Sequence, residues 1–172
     1  MQIVKGGVQR RSVRTWHSLY SIVLAVWCSL ILGMHPGHAA MLKMSVEDLS
    51  RQADTIVVGT VTQQQSAWDA QHTAIHTDVT VAVERVLAGT PGDTVTLRVA
   101  GGIVEGIGMS TSNDAVFQDG ERVIVFLDTT AFPGRVVGMQ QGKFTVKDNL
   151  VTRADEAVNL EEFIATVRSV IP

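Results

Sequence analysis

The sequence predicts a mainly β domain framed by two short helices and preceded by a secretory leader. Three observations carry that prediction. Ile75 to Val83 alternates apolar and polar residues without a break, as a strand with one buried face does. Short β-branched runs recur between turn-rich and glycine-rich corners, the spacing of an all-β fold. Residues 1–40 hold four basic residues and no acid, then an apolar stretch from Leu19 to Met34, then the small-residue end Gly37-His38-Ala39-Ala40.

That last succession is the three-part pattern of a signal peptide. Gly37 and Ala39 stand at −3 and −1, which puts cleavage after Ala39, with Ala40 as the alternative. The apolar stretch spans 16 residues and contains Ser21 and Ser29, short of the about 20 that a spanning helix needs. The Arg10-Arg11 pair is similar to a twin-arginine signal, but Ser12-Val13 and the very apolar core fit the general secretory route better. Cys28 follows Trp27 rather than the small residue of a lipoprotein signal. The organisation expected is a signal peptide over 1–39 and one domain over 40–172, exported to the periplasm, the cell envelope or the medium.

Removing the leader changes the charge. Four of the 14 basic residues and none of the 17 acids fall within it, so the remainder carries −7. An acidic surface argues against nucleic acid or anionic lipid as partner, and membrane contact is expected only through the leader before cleavage. The remainder also lacks cysteine, because Cys28 is the single one. No disulfide can staple it, so its core must hold it, and about 130 residues suffice for that.

Ser45-Val46-Glu47-Asp48 is a helix start, a hydroxyl cap with an acid three residues on. Leu42, Val46, Leu49 and Ala53 continue it to about Ala53. Thr55–Thr62 is the first strand and the polar stretch Gln63–Thr73 a loop. Ile75–Val83 follows, with Ile75, Thr77, Val79, Val81 and Val83 inward, and then a turn over Ala88–Asp93. Thr94–Ala100 alternates again. Gly101–Gly120 reads as a bent strand or hairpin plus a loop. Glu121–Asp128 is apolar on both faces, hence central. Arg135–Met139 and Lys143–Lys147 are expected to pair around Gln140-Gln141-Gly142, and Asp148-Asn149 to turn the chain before Leu150–Thr152. Asn159-Leu160-Glu161-Glu162 caps a closing helix with the stripe Leu160, Phe163, Ile164, Val167. Five or six short strands with glycine corners suggest a small closed or nearly closed OB-like barrel.

Three phrases also carry a resemblance: Ala53-Asp54-Thr55-Ile56-Val57-Val58-Gly59-Thr60-Val61, Val86-Leu87-Ala88-Gly89, and Asp119-Gly120-Glu121-Arg122-Val123-Ile124-Val125-Phe126-Leu127. Together they resemble a group of uncharacterised secreted bacterial domains, some of which precede a matrixin-like zinc protease. Val137–Phe144 looks like the closing strand pair of that group. The layout is distantly similar to the netrin module and the tissue inhibitors of metalloproteinases, which are OB folds. The resemblance covers nearly all of residues 42–147 and rests on turns and strands, so it implies a fold more than a function. Those inhibitors chelate zinc through an N-terminal cysteine. A start at Ala40-Met41-Leu42 has none, so that mechanism is not implied.

No catalytic constellation stands out. Gly108-Met109-Ser110-Thr111-Ser112 has serine where a nucleophile elbow needs its second glycine. Gly138–Lys143 is one residue short of a phosphate loop. The acid pairs Glu47/Asp48 and Glu161/Glu162 suit helix starts, where they complement the dipole, and Asp155/Glu156 suits a turn. His72 and His76, with Asp69 and Asp78 nearby, are spaced four apart, but in a loop-to-strand segment they do not complete a zinc site.

Two segments are candidates for recognition. Trp68 lies between the first two strands, beside Asp69 and His72, where an aromatic side chain can anchor a partner or plug the barrel end. The glycine-rich stretch with Gly102, Ile103, Ile107 and Met109 can offer a sheet edge to a partner strand or simply form bulges and corners. The function expected is that of an exported, non-enzymatic binding module acting on another secreted or envelope protein, a protease among the candidates, without cofactor or metal. The alternatives are a metal-dependent hydrolase using His72 and His76, and a purely structural envelope protein. Intact-mass spectrometry of the protein from its host should find a chain beginning at Ala40 or Met41; a retained 1–39 segment would refute the leader.

Overall fold

Ser45 caps the first helix as its position demands: its hydroxyl accepts a hydrogen bond from the Asp48 amide at 3.1 Å. The computed structural model describes residues 42–153 and 156–171; the leader expected over 1–39 lies outside the described residues. Leu42–Pro172 forms one compact unit. Its elements are helix α1 (Val46–Gln52) and strands β1 (Thr55–Trp68), β2 (Ile75–Ala88), β3 (Thr94–Ala100), β4 (Gly102–Val104), β5 (Ile107–Met109), β6 (Arg122–Asp128) and β7 (Arg135–Val136). After a 3-10 turn over Met139–Gly142 come β8 (Lys143–Lys147), β9 (Leu150–Arg153), β10 (Glu156–Asn159) and helix α2 (Leu160–Val170).

The main sheet is antiparallel in the order β10-β9-β8-β6-β1-β2-β3, with β7 on β6; β4 and β5 form a separate ribbon. Its middle is β1 and β6, paired from Thr55↔Leu127 to Thr60↔Arg122. Over this paired stretch both strands are buried on both faces, which explains their unbroken β-branched and aromatic runs. Alternation divides those side chains between two cores. Ile56, Val58, Ile124 and Phe126 join Leu49 of α1, Phe144, Val146, Val151 and the apolar stripe of α2. Val57, Val61, Val123, Val125 and Leu127 join Val79, Val81, Val95 and Leu97 of β2 and β3, with Ala115 and Phe117 closing the end. In the first core, Phe126, Phe144 and Phe163 stack in a tilted triad, with centroids 4.7 to 6.3 Å apart.

Three register shifts punctuate the β1–β2 ladder. Such bulges bend and twist a long hairpin. Gly59 sits at one of them, where any Cβ would run into the carbonyl of Ala82.

Several expectations need correction. The first strand does not stop at Thr62 but runs to Trp68, and β2 extends past Val83 to Ala88, so most of the expected loop over 63–73 is strand. Gln63–Ser66 carry no apolar signal because they lie beyond the core; their backbone pairing with β2 keeps them extended. Arg135–Met139 does not pair with Lys143–Lys147. Residues 135–136 join β6, while β8 lies between β6 and β9. Among the described residues the strands number ten rather than five or six, and the main sheet is not a closed barrel. At β3, closure is limited to one parallel bridge, Leu97↔Gly134. Pro133 has no amide to extend that ladder, and the chain turns at once into β7 on the other side. The other end of the sheet finishes at β10, directly before α2.

A charge placed in the second core tests this register. Val81 is wholly buried, so Val81→Asp should cost several kcal/mol of stability, read as a large drop in melting temperature. Gln63→Asp, on the exposed extension, should change it little.

Candidate functional site

The β1–β2 hairpin closes through a six-residue turn, Asp69 to Ala74, built around one carboxylate. Asp69 accepts from the Thr73 amide and hydroxyl, both at 2.7 Å, while its own amide donates to the Ala74 carbonyl at 2.8 Å. The Thr73 bonds hold the Asp69 carboxyl below its ordinary value. His72 takes a left-handed backbone, φ 55°, and lays its ring on Trp68, stacked at 6.2 Å and 22°. Asp69 is thus a turn-former, and His72 is the immediate neighbour of Trp68.

Trp68 is half-buried and belongs to neither core. It pairs with Ile75, and directly opposed residues share a face. Ser66 and Thr77, two residues inward on the same face, touch hydroxyl to hydroxyl at 2.8 Å. Onto these hydroxyls the β4–β5 ribbon is laid. Gly102 packs so closely that a Cβ would clash with both, Thr77 donates to the Gly101 carbonyl at 2.7 Å, and the Gly101 amide reaches the Ile75 carbonyl at 2.8 Å. Both glycines have positive φ, 91° and 140°, a conformation that favours glycine.

The structure therefore brings the two sequence candidates to one end of the molecule. The register Gly102↔Met109, Ile103↔Gly108, Val104↔Ile107 puts Val104, Ile107 and Met109 on the face that Gly102 presents to β1, and Ile103 on the other. Ile103 is 72% exposed, Ile107 52% and Met109 39%. Among the described residues, β5 pairs with β4 alone, which leaves it an open edge.

The two histidines are not brought together. His72 lies in the turn against Trp68, while His76 stands on the opposite face of β2, between Ala67 and Ala100. On that face Arg98 grips Asp78 with two bonds, 2.6 and 2.8 Å, which lower the Asp78 carboxyl. Arg98 also lines a shallow pocket with His76, Asp114 and Arg135. Among the described residues no group of three His, Cys, Asp or Glu side chains is placed to hold a metal ion. No described helix is long and apolar enough to cross a membrane.

Sequence reasoning missed one surface. At the other end of β1 a cavity of about 420 Å³ opens between the β2–β3 turn and the β6–β7 loop. Five of its twelve lining residues are threonines, and Phe132 stands at its rim. Each threonine looks like an ordinary strand or turn residue until the fold gathers them.

No protein-family model and no curated protein sequence matches the chain.

The turn chemistry can be titrated. A carboxyl held below its ordinary value contributes above that value and loses its contribution as pH falls through the depressed one. The Trp68 indole proton resonance should therefore hold steady through the ordinary carboxylate range and move only at lower pH. Asp69→Ala should displace it already at neutral pH and flatten the acid response, with little change in melting temperature. An unaltered Trp68 resonance in Asp69→Ala would show that the carboxylate does not shape the turn.

Proposed function

We propose that the protein is an exported, non-enzymatic binding module that recognises another secreted or envelope protein through the end of the molecule bearing Trp68 and the β4–β5 ribbon. The observation that carries this reading is the open edge of β5 with Ile107 and Met109 exposed along it. A strand edge offers backbone donors and acceptors, and its alternate side chains select the incoming sequence. The ribbon is anchored by the Gly101 and Gly102 contacts, so its backbone is ordered in advance of binding, and Ile103, Ile107 and Met109 keep exposed surface that a partner can cover.

Trp68 supplies the second half of the surface. Half-buried and stacked on His72, it is a rigid aromatic of the kind that dominates small interfaces. The resemblance to secreted domains that precede zinc proteases supports a protein partner in the envelope. The leader expected over residues 1–39 supports export.

The test is affinity capture from the envelope fraction, followed by calorimetry on the purified partner. Trp68→Ala and Ile107→Asp should each weaken binding by about 2 kcal/mol or more, roughly thirtyfold, while melting within a few degrees of the parent. A normal affinity in both variants would place recognition elsewhere. A collapse of melting temperature in Trp68→Ala would make the residue a packing element.

A further inference from the structure

The threonine-lined cavity remote from Trp68 has the chemistry of a carbohydrate site, and we propose that it binds a neutral saccharide, with Phe132 as the stacking platform. This goes beyond recognition of a protein partner and does not depend on it, because β1 separates the two surfaces by its 14-residue length.

The class of ligand follows by exclusion from the lining. Among the described residues no lysine, arginine or histidine lines the cavity. A phosphate, nucleotide or carboxylate would find no cation there to neutralise it. A lipid tail or other apolar ligand would strip water from hydroxyls and give them no partner. Thr90, Thr94 and Thr96 make no side-chain hydrogen bond to a described residue, and Thr94 and Thr96 point outward on the same face of β3, opposite buried Val95 and Leu97. A free hydroxyl both donates and accepts, so three of them suit a ligand that also carries both functions at every edge. A sugar does.

A cationic ligand is the remaining competitor, and the wall disfavours it. The Asp54 carboxylate is engaged on both oxygens by Thr129, whose amide lies 2.9 and 3.0 Å away and whose hydroxyl lies at 2.7 Å. Its charge serves the loop first. Phenylalanine is also a weaker cation platform than tryptophan. The Phe132 ring is 85% exposed, and its apolar face can take the C–H face of a pyranose while the threonines take the hydroxyls.

The platform stands on a loop that is already ordered. Gly134 donates to the Thr96 carbonyl at 3.0 Å and accepts from the Arg98 amide at 2.8 Å. Asp128 accepts from the Thr130 amide at 3.0 Å. Asp54 holds Thr129, as above. These contacts fix the loop on both sides of Phe132, so binding orders little that was free. The volume of about 420 Å³ falls in the range of small-ligand sites.

Saturation-transfer NMR on the full-length protein decides the matter, with cellotriose, maltotriose and N-acetylchitotriose as neutral probes and choline as the cationic one. At least one trisaccharide should show transfer. The signal should fall about tenfold in Phe132→Ala, weaken in Thr96→Val, and persist in Trp68→Ala. Phe132→Ala removes a solvent-facing ring, so its melting temperature should match the parent and the loss can be read as binding. No transfer to any trisaccharide, or transfer that survives Phe132→Ala, would overturn the proposal. So would transfer to choline alone.

Discussion

Everything in this domain hangs on the pairing of β1 with β6. Two strands buried on both faces serve two cores at once, and neither core exists without them. Because side chains alternate with a period of two, odd-numbered β6 residues face β2 and β3 while even-numbered ones face the helices. A slip of one residue would not loosen one core; it would exchange the contents of both. The two sides differ in shape, however. The helix side takes Phe126 into an aromatic triad, while the other takes valines against valines.

The same pairing explains where the two candidate surfaces arise. β1 is far longer than β6, and past Thr60, among the described residues, it pairs in the main sheet with β2, which in turn pairs with β3. The β4–β5 ribbon is anchored on this pairing through hydroxyl and backbone contacts, and its Ile103, Ile107 and Met109 remain exposed. At the opposite end, β1 and β3 are bridged by the 128–134 loop through Asp54, Thr129 and Gly134. There too hydrogen bonds hold the elements together, and several threonines face the open pocket they leave.

How much of this was legible in the sequence follows from where the apolar signal lies. The alternation of Ile75–Val83, the double-faced run of β6 and the stripe of α2 mark residues that turn inward, and the structure buries them as read except Val83, which is half-buried. The capped start of α1 and the turn at Asp148-Asn149 were legible because local chemistry dictates them. Both turn residues take positive φ, 49° and 64°, as a tight hairpin asks. Gln63–Ser66 were illegible because polar residues held extended by a neighbour's backbone leave no periodic trace. The partner of Arg135–Val136 was illegible because adjacency in sequence suggested β8 while packing chose β6. Among site residues, Trp68, Ile107 and Met109 were visible as apolar residues out of pattern. The threonines of the cavity were not, because hydroxyl residues in strands are ordinary until a third element, the Phe132 loop, is brought over them.

Charge gives the last constraint on what this surface can recognise. Most of its cations are already engaged: Lys43 with Glu156, Arg85 with Glu161, Arg98 with Asp78, Arg122 with Glu84. Such exposed pairs add little stability, but they leave the acidic excess uncompensated around the rest of the molecule. Lys143 and Glu121 are the exception. Both are largely buried, at 2.6 Å, with Thr145 also donating to Glu121 and Lys143 to the Val116 carbonyl. Removing either partner would strand a buried charge, so this pair is bound to the loop that carries Phe117 into the second core and is not available to a ligand. Among the described residues, most cations are thus paired with acids of the same chain. What the protein offers is neutral: a backbone edge with apolar side chains at one end and a hydroxyl-lined cavity under an aromatic ring at the other. Both are suited to ligands that carry hydrogen-bonding groups and apolar faces without strong charge, and the acidic surround would repel polyanions from either.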